Sequence, residues 1–140
     1  MKVWLLPTLL LSLTSLSVAA PTITIPNGTI TISWDSTVSK VKFEVEINDN
    51  SSASFGWGKN MDNTDMVQWQ AHGAMSSAID MYSVGEVTPS VDAVNTYTTT
   101  VTQASGKVKF VSLRGLNGNG GAQDFVATLD TNIQACYAYH

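Results

Sequence analysis

The sequence predicts an all-β protein, an antiparallel β-sandwich, and three observations carry that reading. Lys40 to Ile47 alternates without a fault: Val41, Phe43, Val45 and Ile47 share one face, and Lys40, Lys42, Glu44 and Glu46 the other. Alternation of this kind marks a strand with one buried and one wet face. Similar short segments recur between turn-forming residues, at a spacing of roughly eight to twelve positions. No segment keeps a 3.6-residue apolar period over helical length.

The 140 residues suggest one domain. The first nineteen are set apart from it. Lys2 is a short basic start, Trp4 to Leu16 is largely apolar, and Ser17-Val18-Ala19 offers the small residues that a signal peptidase reads. Cleavage is expected after Ala19, because a cut after Ala20 would leave Pro21 directly behind the scissile bond. The apolar run is shorter than the roughly 20 residues of a spanning helix. Residues 1–19 therefore read as a secretory signal and residues 20–140 as the domain, secreted or luminal once the signal is removed.

Thr22 to Ile25 alternates, Pro26-Asn27-Gly28 turns, and Thr29 to Trp34 alternates again, a hairpin pattern. The Lys40 to Ile47 strand follows, then a turn at Asn48 to Ser52. Ala53 to Gly58 and Met66 to Trp69 are short strands on either side of a loop. Ala71 to Ala74 reads as a turn, Ala78 to Tyr82 as a strand, and Ser83 to Asp92 as a long loop. Asn95 to Gln103 and Lys107 to Leu113 are strands, with Val108, Phe110 and either Ser112 or Leu113 inward. Asn117 to Gly121 is a glycine-rich loop, and Phe125 to Leu129 and Ile133 to Tyr139 are two closing strands.

Without Lys2 the chain is clearly acidic, with 11 Asp and Glu among few charges, which argues against nucleic acid or anionic membrane as a partner. No further stretch reads as a membrane span. Cys136 is the single cysteine and has no internal disulfide partner; it reads as a buried, inert thiol or an intermolecular bridge. Asn27-Gly28-Thr29 and Asn50-Ser51-Ser52 are glycosylation acceptors at expected turns. The oligomeric state is not legible.

Catalytic chemistry is poorly supplied. The two histidines, His72 and His140, lie in no nucleophile motif, and with one cysteine they make no zinc pattern. Asp62 and Asp65 read as turn caps. The chain reads as a non-enzyme. A scarcity of ligands still suffices for one cofactor, since a haem iron asks the protein for only two axial ligands, and a Met/His pair makes an electron-transferring centre. Absence of C-x-x-C-H excludes covalent attachment, so any haem is haem b. Met61, at the tip of the loop after Phe55, is an apolar thioether in an unlikely place. It is either a buried staple or a ligand.

The run Gly56-Trp57-Gly58-Lys59-Asn60-Met61 through Asp65-Met66 resembles the DOMON domain pattern G-F-G-x-x-M-x-x-x-D-M. Asp80-Met81-Tyr82-Ser83-Val84-Gly85 is similar to its D-x-Y-S-x-G, Pro89 to Asp92 to its P-x-x-D, and Phe110 to Leu116 to its F-x-x-x-R-x-L. Asp124 falls where an aspartate usually follows, and Ala135 to Tyr139 resembles the last strand. The resemblance implies an immunoglobulin-like β-sandwich. It implies that Met61 is an iron ligand and that His140 is the second. Trp57 and Tyr82 read either as aromatics lining the haem or as part of the sandwich core. Met66 is expected in the core, and Arg114 with Asp124 in a structural ion pair or backbone clamp.

Haem-binding relatives usually carry the histidine some residues beyond the last strand. Here His140 follows Ala138-Tyr139 directly, so either it has taken over the role or the chain is a fragment. His72 is a third candidate. The function implied is one-electron transfer by a secreted b-type cytochrome domain, with a redox protein or a small reductant as partner. The alternatives are a haem-free module that binds a sugar or other small ligand, and a piece of a larger membrane reductase.

Overall fold

A computed structural model describes residues 9–12, 20–118, 121–129 and 132–140. The expected cleavage site after Ala19 and part of the glycine-rich loop, residues 119 and 120, lie outside them. Eleven strands are described: β1 (Leu9–Ser12), β2 (Thr22–Ile25), β3 (Gly28–Asp35), β4 (Lys40–Asn48), β5 (Ser51–Gly56), β6 (Thr64–Ala71), β7 (Ser77–Ser83), β8 (Ser90–Val91), β9 (Thr98–Ala104), β10 (Lys107–Arg114) and β11 (Asn132–Tyr139). They form two antiparallel sheets, β1-β11-β5-β6-β7-β8 and β2-β3-β4-β10-β9. Among the described residues there is no helix. The all-β sandwich read from the sequence is the architecture observed.

The alternating segment becomes β4, at the centre of the second sheet, with Val41, Phe43, Val45 and Ile47 wholly buried. Its other face carries exposed ion pairs, Lys42–Glu44 at 3.2 Å, Lys109–Glu44 at 3.4 Å and Lys107–Glu46 at 2.9 Å. Pairs so exposed contribute about 0–1 kcal/mol each, so the inner face holds the sheets together. Phe43 is its hub. Its ring lies 5.2 Å from Phe55, 5.5 Å from Trp69, 5.7 Å from Trp57 and 6.0 Å from Tyr97. Trp69 reaches across the layer to donate its indole N–H to Ser112 Oγ at 2.9 Å, so Ser112 is the inward residue of β10 and not Leu113.

Two local expectations change, and one strand falls within the expected signal segment. Phe125 to Leu129 is irregular and not a strand. Its backbone finds other partners: Phe125 N–H donates to Asp65 Oδ2 at 2.7 Å, Ala127 N–H to the Leu116 carbonyl at 2.6 Å, and the Phe125 carbonyl accepts from Arg114 at 2.8 Å. A ladder is not needed once these groups are satisfied. The long loop after β7 contains the two-residue β8, paired with Met81 and Tyr82. Within the expected signal segment, Leu9–Ser12 pairs with β11 from Ala135 back to Asn132.

The two sheets are tied at one end by Asn27. Its Nδ2 donates to the carbonyls of Ser52 at 3.1 Å and His140 at 3.2 Å. Ser52 and His140 also exchange two backbone hydrogen bonds, at 2.8 and 2.9 Å. The Asn27 amide, expected at an exposed glycosylation turn, is engaged in this clamp; Asn50 is exposed.

Candidate functional site

The loop between β5 and β6 is closed by its own polar residues. Thr64 Oγ1 donates to the carbonyls of Asn60 at 2.6 Å and Asp62 at 3.2 Å, and Asp62 N–H donates to Asn60 Oδ1 at 3.1 Å. Trp57 N–H bonds the Asp65 carbonyl at 2.9 Å and shuts the base. Gly58 is required by the close approach of Thr64, whose Oγ1 would lie 2.9 Å from an added Cβ. This winding turns Met61 inward, to 7% exposure.

What Met61 turns into is a cleft of about 230 Å³ on the face of the first sheet opposite the core. Strand register explains the lining. Cys136 pairs with Gly56, Gly56 with Met66, and Met66 with Met81, so these four lie in one row across β11, β5, β6 and β7. Paired residues in antiparallel strands point to the same side. Met66 and Met81 therefore join Met61 on the cleft wall, with Pro89 adding apolar surface and Ser54, Gln68 and Gln70 polar edges. Met66, expected in the core, faces the cleft instead. The parity of a strand cannot be carried through an irregular loop, so the sequence alone does not fix that orientation.

Cys136 is buried and also lines the cleft, its Sγ 3.6 Å from the Asn60 carbonyl. Burial pushes its pKa up, so it is held as the thiol.

The remaining sequence candidates are not brought to the cleft. Trp57 is in the core on the opposite side, its indole N–H on Tyr97 Oη at 2.9 Å. Tyr82 donates to Asn63 Oδ1 at 3.4 Å and is not among the lining residues. His140 is exposed at the far end of β11, roughly 13 Å along the strand from Cys136 at a rise of about 3.3 Å per residue. His72 is exposed and hydrogen-bonds Asn50 Oδ1 at 3.1 Å.

A second polar centre lies in the core, where Arg114 makes the ion pair and backbone clamp expected of it with a different partner. Arg114, fully buried, pairs with Asp65 and not with Asp124. Its guanidinium also lies over the rings of Trp57 and Tyr97, 5.2 and 5.8 Å from their centroids, while Trp57 stacks on Phe125 at 5.5 Å and 10°. Burial pushes the Asp65 carboxyl up to about 6, against the pull of Arg114 and the Phe125 N–H; Asp80 and Asp124 push it the same way as burial. The partners are 49 residues apart, a separation no local pattern reveals.

The sequence profile of the DOMON domain matches residues 26–140. Among solved structures, the chain is similar to the cytochrome domain of Myriococcum thermophilum cellobiose dehydrogenase, at 13% identity and a TM-score of 0.48, over 68% of this chain and 53% of that one. The chain thus spans about half the length of that structure. No curated protein matches it.

Proposed function

The chain belongs to the DOMON family, and from that premise we propose that it is a haem b-binding, one-electron-transfer domain with Met61 as one axial ligand. The observation that carries the reading is the Met61 side chain, buried by its own loop against an apolar cleft walled by Met66, Met81 and Pro89. These residues fit one face of a porphyrin: a thioether donor beside apolar surface. The bound group supplies a one-electron couple whose potential a thioether ligand raises. The chain's own part is to hold it and to keep water from it.

The second axial position is less well provided. No imidazole is among the residues lining the cleft. By strand alternation His140 faces the same side of β11 as Cys136 and Ala138, and it is the candidate for that position. Secretion, a glycan at the exposed Asn50, and a redox protein or small reductant as partner belong to the same reading.

One observation favours a haem-free ligand module instead. The cleft is smaller than the roughly 300–1,000 Å³ of typical ligand pockets, and Gln68, Gln70 and Ser54 give it hydrogen-bonding edges suited to a small polar ligand. A haemin titration separates the two. The mature domain should give sharp low-spin bands on reduction, and Met61→Ala should lose them. No Soret shift on adding haemin removes the cytochrome reading. A low-spin spectrum that survives His140→Ala excludes that histidine.

A further inference from the structure

We propose that Asp80, Asp92 and Asp124 bind a divalent hard cation, Ca²⁺, where β7, the end of β8 and the loop after β10 converge. One carboxylate oxygen from each lies within 4.8 Å of the other two. The three come from separate segments, so the fold assembles the cluster.

Acidic clusters are common, and the decisive observation is Asp80. It is 2% exposed, and one of its oxygens is fully used: Oδ2 accepts the Thr96 N–H at 2.7 Å and the Thr96 hydroxyl at 2.5 Å. The other, Oδ1, is buried and has no hydrogen-bond partner among the described residues. Leaving a buried carboxylate oxygen unmatched is costly. A cation held among the three carboxylates would remove that cost.

Nearby positive charge does not do so. The buried cation of this region is Arg114, whose guanidinium is committed to Asp65 and to the Phe125 carbonyl. Asp124 is steered into place: its Oδ2 accepts from Gly121 N–H at 2.9 Å, and residue 118 must be glycine, because an added Cβ would meet Asp124 Cγ at 2.7 Å.

The donor set names the class of ion. All three ligands are carboxylate oxygens, with no imidazole or thiol, which selects hard cations over zinc or copper. Calcium accepts irregular oxygen cages completed by water and main-chain carbonyls, whereas magnesium demands near-octahedral geometry. Asp80 alternates with the cleft-lining Met81 along β7 and so faces away from the Met61 cleft, and the site stands or falls independently of haem.

The test is calcium titration of the chelator-treated mature domain, by calorimetry and thermal unfolding. One site per chain and a Tm rise of at least about 4 °C at saturating calcium are expected. Asp92→Asn should weaken binding by about tenfold or more, yet unfold no earlier than the parent in EDTA, since it relieves repulsion. Asp124→Asn serves as the second variant should Asp92→Asn fail to fold. No heat and no shift at millimolar calcium would overturn the proposal. So would an equal shift in NaCl of matched ionic strength, or unaltered calcium binding by the folded variant.

Discussion

At the scale of the residue, Asp65 has the clearest consequence. Its folded-state pKa of about 6 lies above its ordinary 3.8. The folded protein therefore holds the proton more tightly than the unfolded chain does. That contribution is fully present below about pH 3.8 and is lost as pH rises through about 6. In EDTA, the Tm should decline across this window from this group, and Asp65→Asn should flatten the decline while leaving the rest of the profile. An unchanged slope in the variant would contradict it. Met61 was legible here because an apolar side chain in a polar turn demands a reason. The pairing of Arg114 with Asp65 was not, because Asp65 looks ordinary until the fold makes the two neighbours.

At the scale of the element, the strands were legible wherever one face is wet and the other dry. β4 is the clearest case, and β3 and β10 follow it. Phe125 to Leu129 misled because its apolar residues pack against the core while its backbone is satisfied by Asp65, Arg114 and Leu116. The β2–β3 turn offers the sharpest test of a local constraint. A Cβ on Gly28 would lie 1.9 Å from the Glu46 carbonyl oxygen in β4. Gly28→Ala must push β3 away from β4, and denaturant unfolding should register a loss on the order of 1–3 kcal/mol, the usual cost of overpacking. Gly106, with nothing within 4 Å of the same point, is the control for crowding, although its φ of +73° adds backbone strain of its own.

At the scale of the whole molecule, the aromatic hub at Phe43 joins the two sheets. Phe43→Ala should cost about 3–5 kcal/mol, seen as a lower denaturant midpoint with little change in the transition's slope. The number of layers was readable from the spacing of strands and turns. Strand order was not: β4 pairs with β10 across some sixty positions, and nothing in either segment names the other. The same holds for the site. Asp80, Asp92 and Asp124 were each visible in the sequence, but their convergence is a property of the topology.

The stack of Trp57 on Phe125 gives the protein an optical handle. Phe125 directly follows Asp124, and Trp57 sits beneath the Arg114 guanidinium. Any event that shifts the loop carrying Asp124 must alter the packing and the charge around one indole. The near-ultraviolet dichroism and intrinsic fluorescence of Trp57, isolated in a Trp34→Phe, Trp69→Phe background of residues 20–140, would then follow occupancy at the carboxylates without any added label.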